Sequence, residues 1–174
     1  DIAVRRPSTG QWFIKQSSTS AIIRETFGLD RTDVPVVADY DGDGKADIAV
    51  RRQDAGQFII KYSSSGEIKR IGFGSQSTDI AVPADYDGDG KDDIAIFRPS
   101  VSQWWQLRST DGIIAYQFGA AGDKAVPGDY TGDGKTDFSF WRESSSEWFV
   151  LRSEDFTFYS FPYGVAGDIP VPGD

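Results

Sequence analysis

Three stretches of this 174-residue chain place aspartates at alternating positions around glycines and end on another aspartate. Asp39 to Asp47 reads Asp-Tyr-Asp-Gly-Asp-Gly-Lys-Ala-Asp, Asp85 to Asp93 differs by one residue, and Asp129 to Asp137 reads Asp-Tyr-Thr-Gly-Asp-Gly-Lys-Thr-Asp. Ca²⁺ takes about six to eight hard oxygen ligands at about 2.3–2.6 Å, and carboxylates at every second position of a tight loop can converge on one ion. The spacing therefore predicts three calcium loops. In the first, the side chains of Asp39, Asp41, Asp43 and Asp47 act with the Lys45 carbonyl; in the second, Asp85, Asp87, Asp89 and Asp93 act with the Lys91 carbonyl. In the third, Thr131 stands where the others have an acid, leaving Asp129, Asp133, Asp137 and the Lys135 carbonyl, which predicts a weaker site. Gly42, Gly44, Gly88 and Gly90 permit the backbone angles such a loop needs. A solvated acidic turn without metal is the plain alternative. Against it, clustered carboxylates repel one another unless a cation lies among them. An EF-hand loop begins the same way but needs a bidentate Glu at its twelfth position, where this chain has Val50, Ile96 and Phe140.

The loops must be held by something that repeats with them, because their first aspartates lie 46 and 44 residues apart. Aligned on the loop-ending aspartate, four strand starts coincide: Asp1-Ile2-Ala3-Val4, Asp47-Ile48-Ala49-Val50, Asp93-Ile94-Ala95-Ile96 and Asp137-Phe138-Ser139-Phe140. Each sets large apolar groups on one face and a small residue on the other, so both faces are expected to be buried, bulk against gap. A second strand follows at Gln11 to Lys15, Gln57 to Lys61, Gln103 to Leu107 and Glu147 to Leu151, each with an aromatic at the same place (Trp12, Phe58, Trp104, Trp148). A third runs through Ile22-Ile23, Ile68 to Ile71, Ile113 to Tyr116 and Phe156 to Tyr159. A short fourth, with proline in it, covers Val34 to Ala38, Ile80 to Ala84, Ala125 to Gly128 and Ile169 to Gly173. Helix signals are missing.

Sheets that bury both faces and recur radially make a β-propeller. The expectation is one all-β domain over residues 1–174, of four-stranded antiparallel blades, about four per chain, with units starting near 1, 47, 93 and 137. The strand at 169–173 is the one the first blade lacks, and its return would close a four-bladed ring and protect the edges. The same count fits half of a larger ring formed by two chains, or a slice of a longer propeller.

Composition narrows the class. A hydrophobic share of 39% with 14% aromatics argues against disorder, and no apolar run approaches the ~18 residues of a membrane span. A formal charge of −9 makes nucleic acid and anionic membranes poor partners. Three bound Ca²⁺ would bring it to about −3. The chain has neither cysteine nor histidine. That removes disulfides, thiol nucleophiles and the usual proton shuttle, and no Gly-x-Ser-x-Gly motif appears, so a noncatalytic role is expected. Solvent-near calcium sites suit calcium-rich surroundings, so the expected location is secreted or cell-surface, and Asp1, opening in mid-repeat, suggests a mature protein or an excised segment.

The chain resembles the FG-GAP/VCBS repeat family, the module of integrin α-subunit propellers and of many bacterial secreted proteins. The matching residues are Phe27-Gly28, Phe73-Gly74, Phe118-Gly119, the Asp-Tyr-Asp-Gly-Asp-Gly-Lys loops and the Asp-Ile-Ala strand starts. The resemblance covers essentially the whole chain and implies a calcium-binding propeller; Tyr163 departs from the Phe-Gly pattern, and four units are fewer than the family's typical seven. Adhesion, lectin and enzyme-appended roles all occur in it. The expected function is therefore calcium-stabilised extracellular recognition or scaffolding, with a protein or glycan ligand. Alternatives are a lectin-like carbohydrate binder and a noncatalytic segment of a secreted polysaccharide-processing enzyme.

Two further sets of residues stand out. Arg6, Arg52, Arg98 and Arg142 recur just before the first turn of each unit, as a ring able to grip carboxylates of a ligand or, more plainly, as salt bridges between blades or turn caps. Among the tryptophans most are expected in the core, with Trp105 and Trp141 set apart because their counterparts vary. Trp141, aligned with Arg5, Arg51 and Phe97, is the expected exposed anchor.

Overall fold

The computed structural model describes residues 1–28 and 31–172. The alternation of large and small apolar residues produces short antiparallel strands and, among the described residues, no helix. Hence no helix is long and apolar enough to cross a membrane.

Among the described residues, fifteen strands form four sheets. Blade 1 is β1 (Ile2–Arg6), β2 (Gln11–Lys15) and β3 (Ile22–Thr26). Blade 2 is β4 (Asp33–Pro35), β5 (Ile48–Arg52), β6 (Gln57–Lys61) and β7 (Ile68–Gly72). Blade 3 is β8 (Ile80–Ala81), β9 (Ile94–Arg98), β10 (Gln103–Arg108) and β11 (Gly112–Gln117). Blade 4 is β12 (Lys124–Ala125), β13 (Phe138–Arg142), β14 (Glu147–Leu151) and β15 (Phe158–Pro162). Each sheet is a meander in chain order, and equivalent strands pair in the same register, Asp33↔Arg52 and Ile48↔Lys61 in blade 2 for example.

The strand frames expected from the pattern are present, with two local differences. The short fourth strands stop early, because prolines at 83 and 127 remove ladder donors; pairing resumes as single bridges, Ala38↔Asp47, Ala84↔Asp93 and Gly128↔Asp137, at the necks of the acidic loops. In blade 4 the third strand begins at Phe158 rather than Phe156, whose φ of 56° places it in the preceding turn.

The core lies between blades rather than within one sheet. Trp12 and Phe27 of blade 1 meet Val50 and Ile59 of blade 2; Phe58 and Ile60 of blade 2 meet Ile94 and Ile96 of blade 3; Phe97 and Trp104 of blade 3 meet Phe138 of blade 4. Large groups on one sheet enter the gaps left by Ala49, Ala95 and Ser139 on the next, all three fully buried. Each junction is closed by a tight turn at the end of the third strand. Gly74 there has φ of 78°, and a Cβ at that position would sit 3.1 Å from the Arg51 guanidinium, the Asp79 carboxylate and Ile96 together, which is why glycine recurs after the aromatic.

Blade 1 stays three-stranded. Residues 169–172 belong to no strand, and Gly173 of the expected closing strand lies outside the described residues. Among the described residues no buried cluster joins blade 4 to blade 1, and Ile2 and Val4 stand 74% and 62% exposed, whereas their counterparts Ile94 and Ile96 are buried. The four blades form an open arc.

Candidate metal centres

Each acidic loop is the hairpin that leads from the short first strand of a sheet into its second, so two paired strands fix its ends. The first aspartate organises the turn from inside. Asp39 Oδ1 accepts from the backbone N–H of Gly42 at 2.8 Å and its Oδ2 from Gly44 at 2.8 Å. Asp85 accepts likewise from Gly88 and Gly90, and Asp129 from Gly132 and Gly134. These glycines all have positive φ, between 76° and 85°, which folds the loop tightly enough for alternate side chains to converge. As a result Asp39, Asp41 and Asp43 each offer a carboxylate oxygen within 4.8 Å of one another, as do Asp85, Asp87 and Asp89.

Asp43, Asp89 and Asp133 accept from the backbone N–H of Lys45, Lys91 and Lys135, which places those lysines inside the same tight turn. The Lys45 ammonium lies 3.9 Å from Asp43. A hairpin farther along each blade seals the outer side with hydroxyls. Ser63 donates to Asp43 at 2.9 Å, Ser109 to Asp89, Thr110 to Asp87 at 2.6 Å and Ser153 to Asp133 at 2.7 Å. This serine and threonine collar carried no signal in the sequence beyond the polar composition of the second turn.

Asp47, Asp93 and Asp137, expected as fourth ligands, are each buried and held by two backbone N–H groups. Asp47 accepts from Tyr40 at 3.0 Å and Ser63 at 2.7 Å, Asp93 from Tyr86 and Ser109, Asp137 from Tyr130 and Ser153. They tie loop, strand and second hairpin together. The loops of neighbouring blades also interlock: Asp92 N–H donates to the Asp39 carbonyl at 2.7 Å, Asp39 N–H to the Asp92 carboxylate at 2.7 Å, and Thr136 N–H to the Asp85 carbonyl at 2.7 Å. The three loops thus stand side by side as one acidic row.

The donor set suits a hard divalent cation: carboxylate, hydroxyl and backbone oxygens with no nitrogen or sulfur ligand. In the third loop Thr131 takes the place of Asp41 and Asp87, and its Oγ1 is buried without a hydrogen-bond partner. An unpaired buried oxygen is costly, and ligation of a cation would satisfy it.

Burial is the largest influence on Asp47 and Asp93. It pushes the Asp93 carboxyl up to about 6, against backbone N–H groups of Ser109 and Tyr86 that favour the charged form, while Asp87 and Asp85 add repulsion. Asp47 and Asp92 are raised for the same first reason. Asp129 goes the other way: burial raises it, but the N–H groups of Gly134, Gly132, Asp133 and Thr131 together outweigh that and lower it. A carboxyl whose folded pKa lies above its unfolded value binds its proton more tightly when folded. Its contribution is therefore full below pH ~4 and is lost as pH rises toward ~6. In chelator, the melting temperature is expected to fall between pH 4 and 6 and to flatten above, and Asp93→Asn to flatten that slope; a thermal melt at each pH checks it.

Arg52, Arg98 and Arg142 occupy bidentate bridges to Asp33, Asp79 and Asp123, with Arg98 Nε and Nη2 at 2.8 and 2.9 Å from the two oxygens of Asp79. They fasten the first strand of a sheet to its second, so the salt bridges expected between blades lie within one blade instead, each on the carboxylate at the end of a turn. The expectation for Trp141 is corrected: it is 1% exposed and its indole N–H donates to the Tyr163 carbonyl at 3.1 Å. Variation with arginine does not mark this position as surface, because Arg51 is equally buried and its guanidinium donates to the carbonyls of Asp79 and Gly74. Either side chain caps the turn of the adjoining junction. Trp105 is half-buried beside Arg98, Phe73, Gly74 and Ile113 around a cavity of about 310 Å³ at the junction of blades 2 and 3.

Fold and loops define a class: an arc of propeller blades whose last three each open with an acidic hairpin. Residues 33–67 and 78–112 match the family model for the FG-GAP repeat, so these two segments are FG-GAP repeats. No curated protein matches the sequence. Solved structures that share its fold include selenomethionine-substituted virginiamycin B lyase from Staphylococcus aureus, at a TM-score of 0.58 and 9% identity, over 95% of this chain and 51% of that one. A streptogramin B lyase matches at 0.59 and 9%, over 92% and 50%. A catalytically inactive histidine-to-alanine variant of the Staphylococcus aureus lyase with quinupristin matches at 0.56 and 8%, over 89% and 49%. The chain spans about half the length of these structures.

Proposed function

We propose that this arc of FG-GAP blades is a noncatalytic, calcium-stabilised module for extracellular recognition or scaffolding. The observation that carries the reading is the convergence of three carboxylates within 4.8 Å in each of two interlocked loops, completed in the third by the unpartnered Thr131 hydroxyl. Asp39, Asp41, Asp43, Asp85, Asp87, Asp89, Asp129, Thr131 and Asp133 would hold the ions, with the carbonyls of Lys45, Lys91 and Lys135 and the buried Asp47, Asp93 and Asp137 completing or bracing each site. The cation supplies charge compensation that locks the hairpin; the residues around it set the geometry of the blade edge. FG-GAP repeats are typical of extracellular proteins, which supports the location. The noncatalytic reading rests on residue chemistry, since the chain has neither histidine nor cysteine to serve as the usual proton shuttle or thiol nucleophile.

Calcium titration with and without chelator tests it. Two ions of similar affinity and a weaker third are expected, and 100 Kd of free calcium should add about 2.7 kcal/mol of stability per site. Calorimetry showing no heat at millimolar calcium, with an unchanged melting temperature, would sink the reading. A lectin-like role has one observation in its favour, the aromatic and arginine lining of the cavity beside Trp105. A glycan array probed with wild type and Trp105→Ala separates the two.

A further inference from the structure

The first and second acidic loops are joined by a side chain that belongs to neither carboxylate triad. Asp92, the eighth residue of the second loop, grips Asp39, the first residue of the first loop, from two sides. Its backbone N–H donates to the Asp39 carbonyl at 2.7 Å, and its carboxylate accepts from the Asp39 N–H at 2.7 Å. The bonds cross from blade 3 to blade 2, between residues 53 apart in the chain. Asp39 is also the residue whose own carboxylate folds the first loop through Gly42 and Gly44. Holding its backbone therefore holds the origin of that turn.

Two further observations tie the loops. The stem of Lys91, next to Asp92, packs on the first loop so closely that a Cβ on Gly42 would lie 2.8 Å from Lys91 Cγ. The Asp92 carboxylate, half-buried between the loops, is repelled by the carboxylates of both Asp39 and Asp85, while the backbones of the same two residues favour its charged form. One anion thus stands within electrostatic reach of the first aspartate of each loop, and a cation in either would be attracted to it without being ligated by it. This arrangement is particular to the pair. The eighth position holds Ala46 in the first loop and Thr136 in the third. Where the third loop meets the second, the backbone bond from Thr136 N–H to the Asp85 carbonyl remains at 2.7 Å, as does the lysine stem, Lys135 over Gly88, but the eighth position has no carboxylate to offer.

We infer that Asp92 is a positioning residue shared by two metal loops. It ligates neither ion, holds Asp39 in place for the first loop and lends one negative charge to both, so that a side chain of the second loop sets the calcium affinity of the first. The inference rests on the calcium reading of the loops. The third loop, joined to the second by backbone alone, lies outside this control.

Calorimetric calcium titration of the full chain with one working loop tests it. Asp87→Asn with Asp89→Asn disables the second loop and Asp133→Asn the third, and asparagine keeps an acceptor for the hydroxyls of Thr110, Ser109 and Ser153. In that background only the first loop takes up calcium, and Asp92→Asn is expected to weaken it by about 10-fold, the scale typical of residues that orient metal ligands. Asp92→Ala, which also removes the acceptor for Asp39 N–H, should weaken it further. A chain in which only the third loop works, with Asp41→Asn and Asp43→Asn in place of Asp133→Asn, should keep its affinity whichever residue stands at 92. Melting separates this role from plain structural support. In chelator at neutral pH Asp92→Asn should not lower the melting temperature, because it relieves repulsion from Asp39 and Asp85, whereas in calcium it should. A first loop indifferent to both substitutions, a third loop weakened as much as the first, or melting temperatures that fall equally with and without calcium would overturn the inference and leave the calcium reading standing. A wild-type chain that takes up no calcium overturns both.

Discussion

Trp104→Ala is expected to cost about 3–5 kcal/mol of stability, among the largest effects available to a single side-chain truncation here. Trp104 is fully buried and lies across a junction: its ring centroid is 4.8 Å from Phe97 in its own blade and 5.6 Å from Phe138 in the next, the latter edge-on. Its indole N–H donates to the Phe118 carbonyl at 2.9 Å, so truncation empties a cavity and also removes a carbonyl's partner. In a repeat architecture stability is roughly a sum of blade and junction contributions, and this junction is the one that couples blade 3 to blade 4. Urea unfolding followed by tyrosine and tryptophan fluorescence should therefore show a lower midpoint and a second, earlier transition for blade 4. Trp148→Ala is the control. Trp148 is half-buried, stacks on Phe161 and has no partner for its N–H, so it is expected to cost less than half as much. Equal costs for the two would mean that the junctions are not where the core stability lies.

The contrast between these tryptophans shows what sequence could reveal. Alternation of large and small residues located every first and second strand because both faces of each sheet are buried, and the repeat supplied the same answer four times. The acidic loops were legible because glycine and aspartate at alternating positions have few other uses. Burial at the junctions was not legible. Trp104 and Trp148 occupy equivalent places, but only the first has a following blade to cover it, so exposure depends on position in the arc and not on local pattern. Trp141 failed for a different reason. Arginine at the aligned position suggested solvent, whereas Arg51 is buried with its guanidinium satisfied by backbone carbonyls of a turn that comes later in the chain. The hydroxyls that close each acidic loop, those of Ser63, Ser109, Thr110 and Ser153, are brought in by a hairpin about 20 residues away, a separation that periodicity alone does not bridge.

Arg98→Ala is expected to cost about 3–5 kcal/mol, because it removes one partner of a buried bidentate pair and strands the other. The Asp79 side chain is wholly inaccessible, and without the guanidinium it keeps, among the described residues, only the N–H of Gln76. Arg98 itself is mostly covered, so exposed-pair screening does little to soften the loss. Arg98→Lys should recover only part of it, since an ammonium cannot present two parallel N–H donors to one carboxylate. The double variant Asp79→Ala with Arg98→Ala should cost clearly less than the two single changes added together, and denaturant midpoints for the four proteins give the coupling directly; simple additivity would show that the bridge is incidental. The bridge has consequences beyond its own energy. Asp79 ends the turn that leaves blade 2, while Arg98 sits in blade 3, so the pair fixes where one blade's chain enters the next sheet, and through the Asp79 carbonyl it also seats Arg51 across the junction. Loss of Arg98 is therefore expected to loosen the junction of blades 2 and 3 as well as the edge of its own sheet.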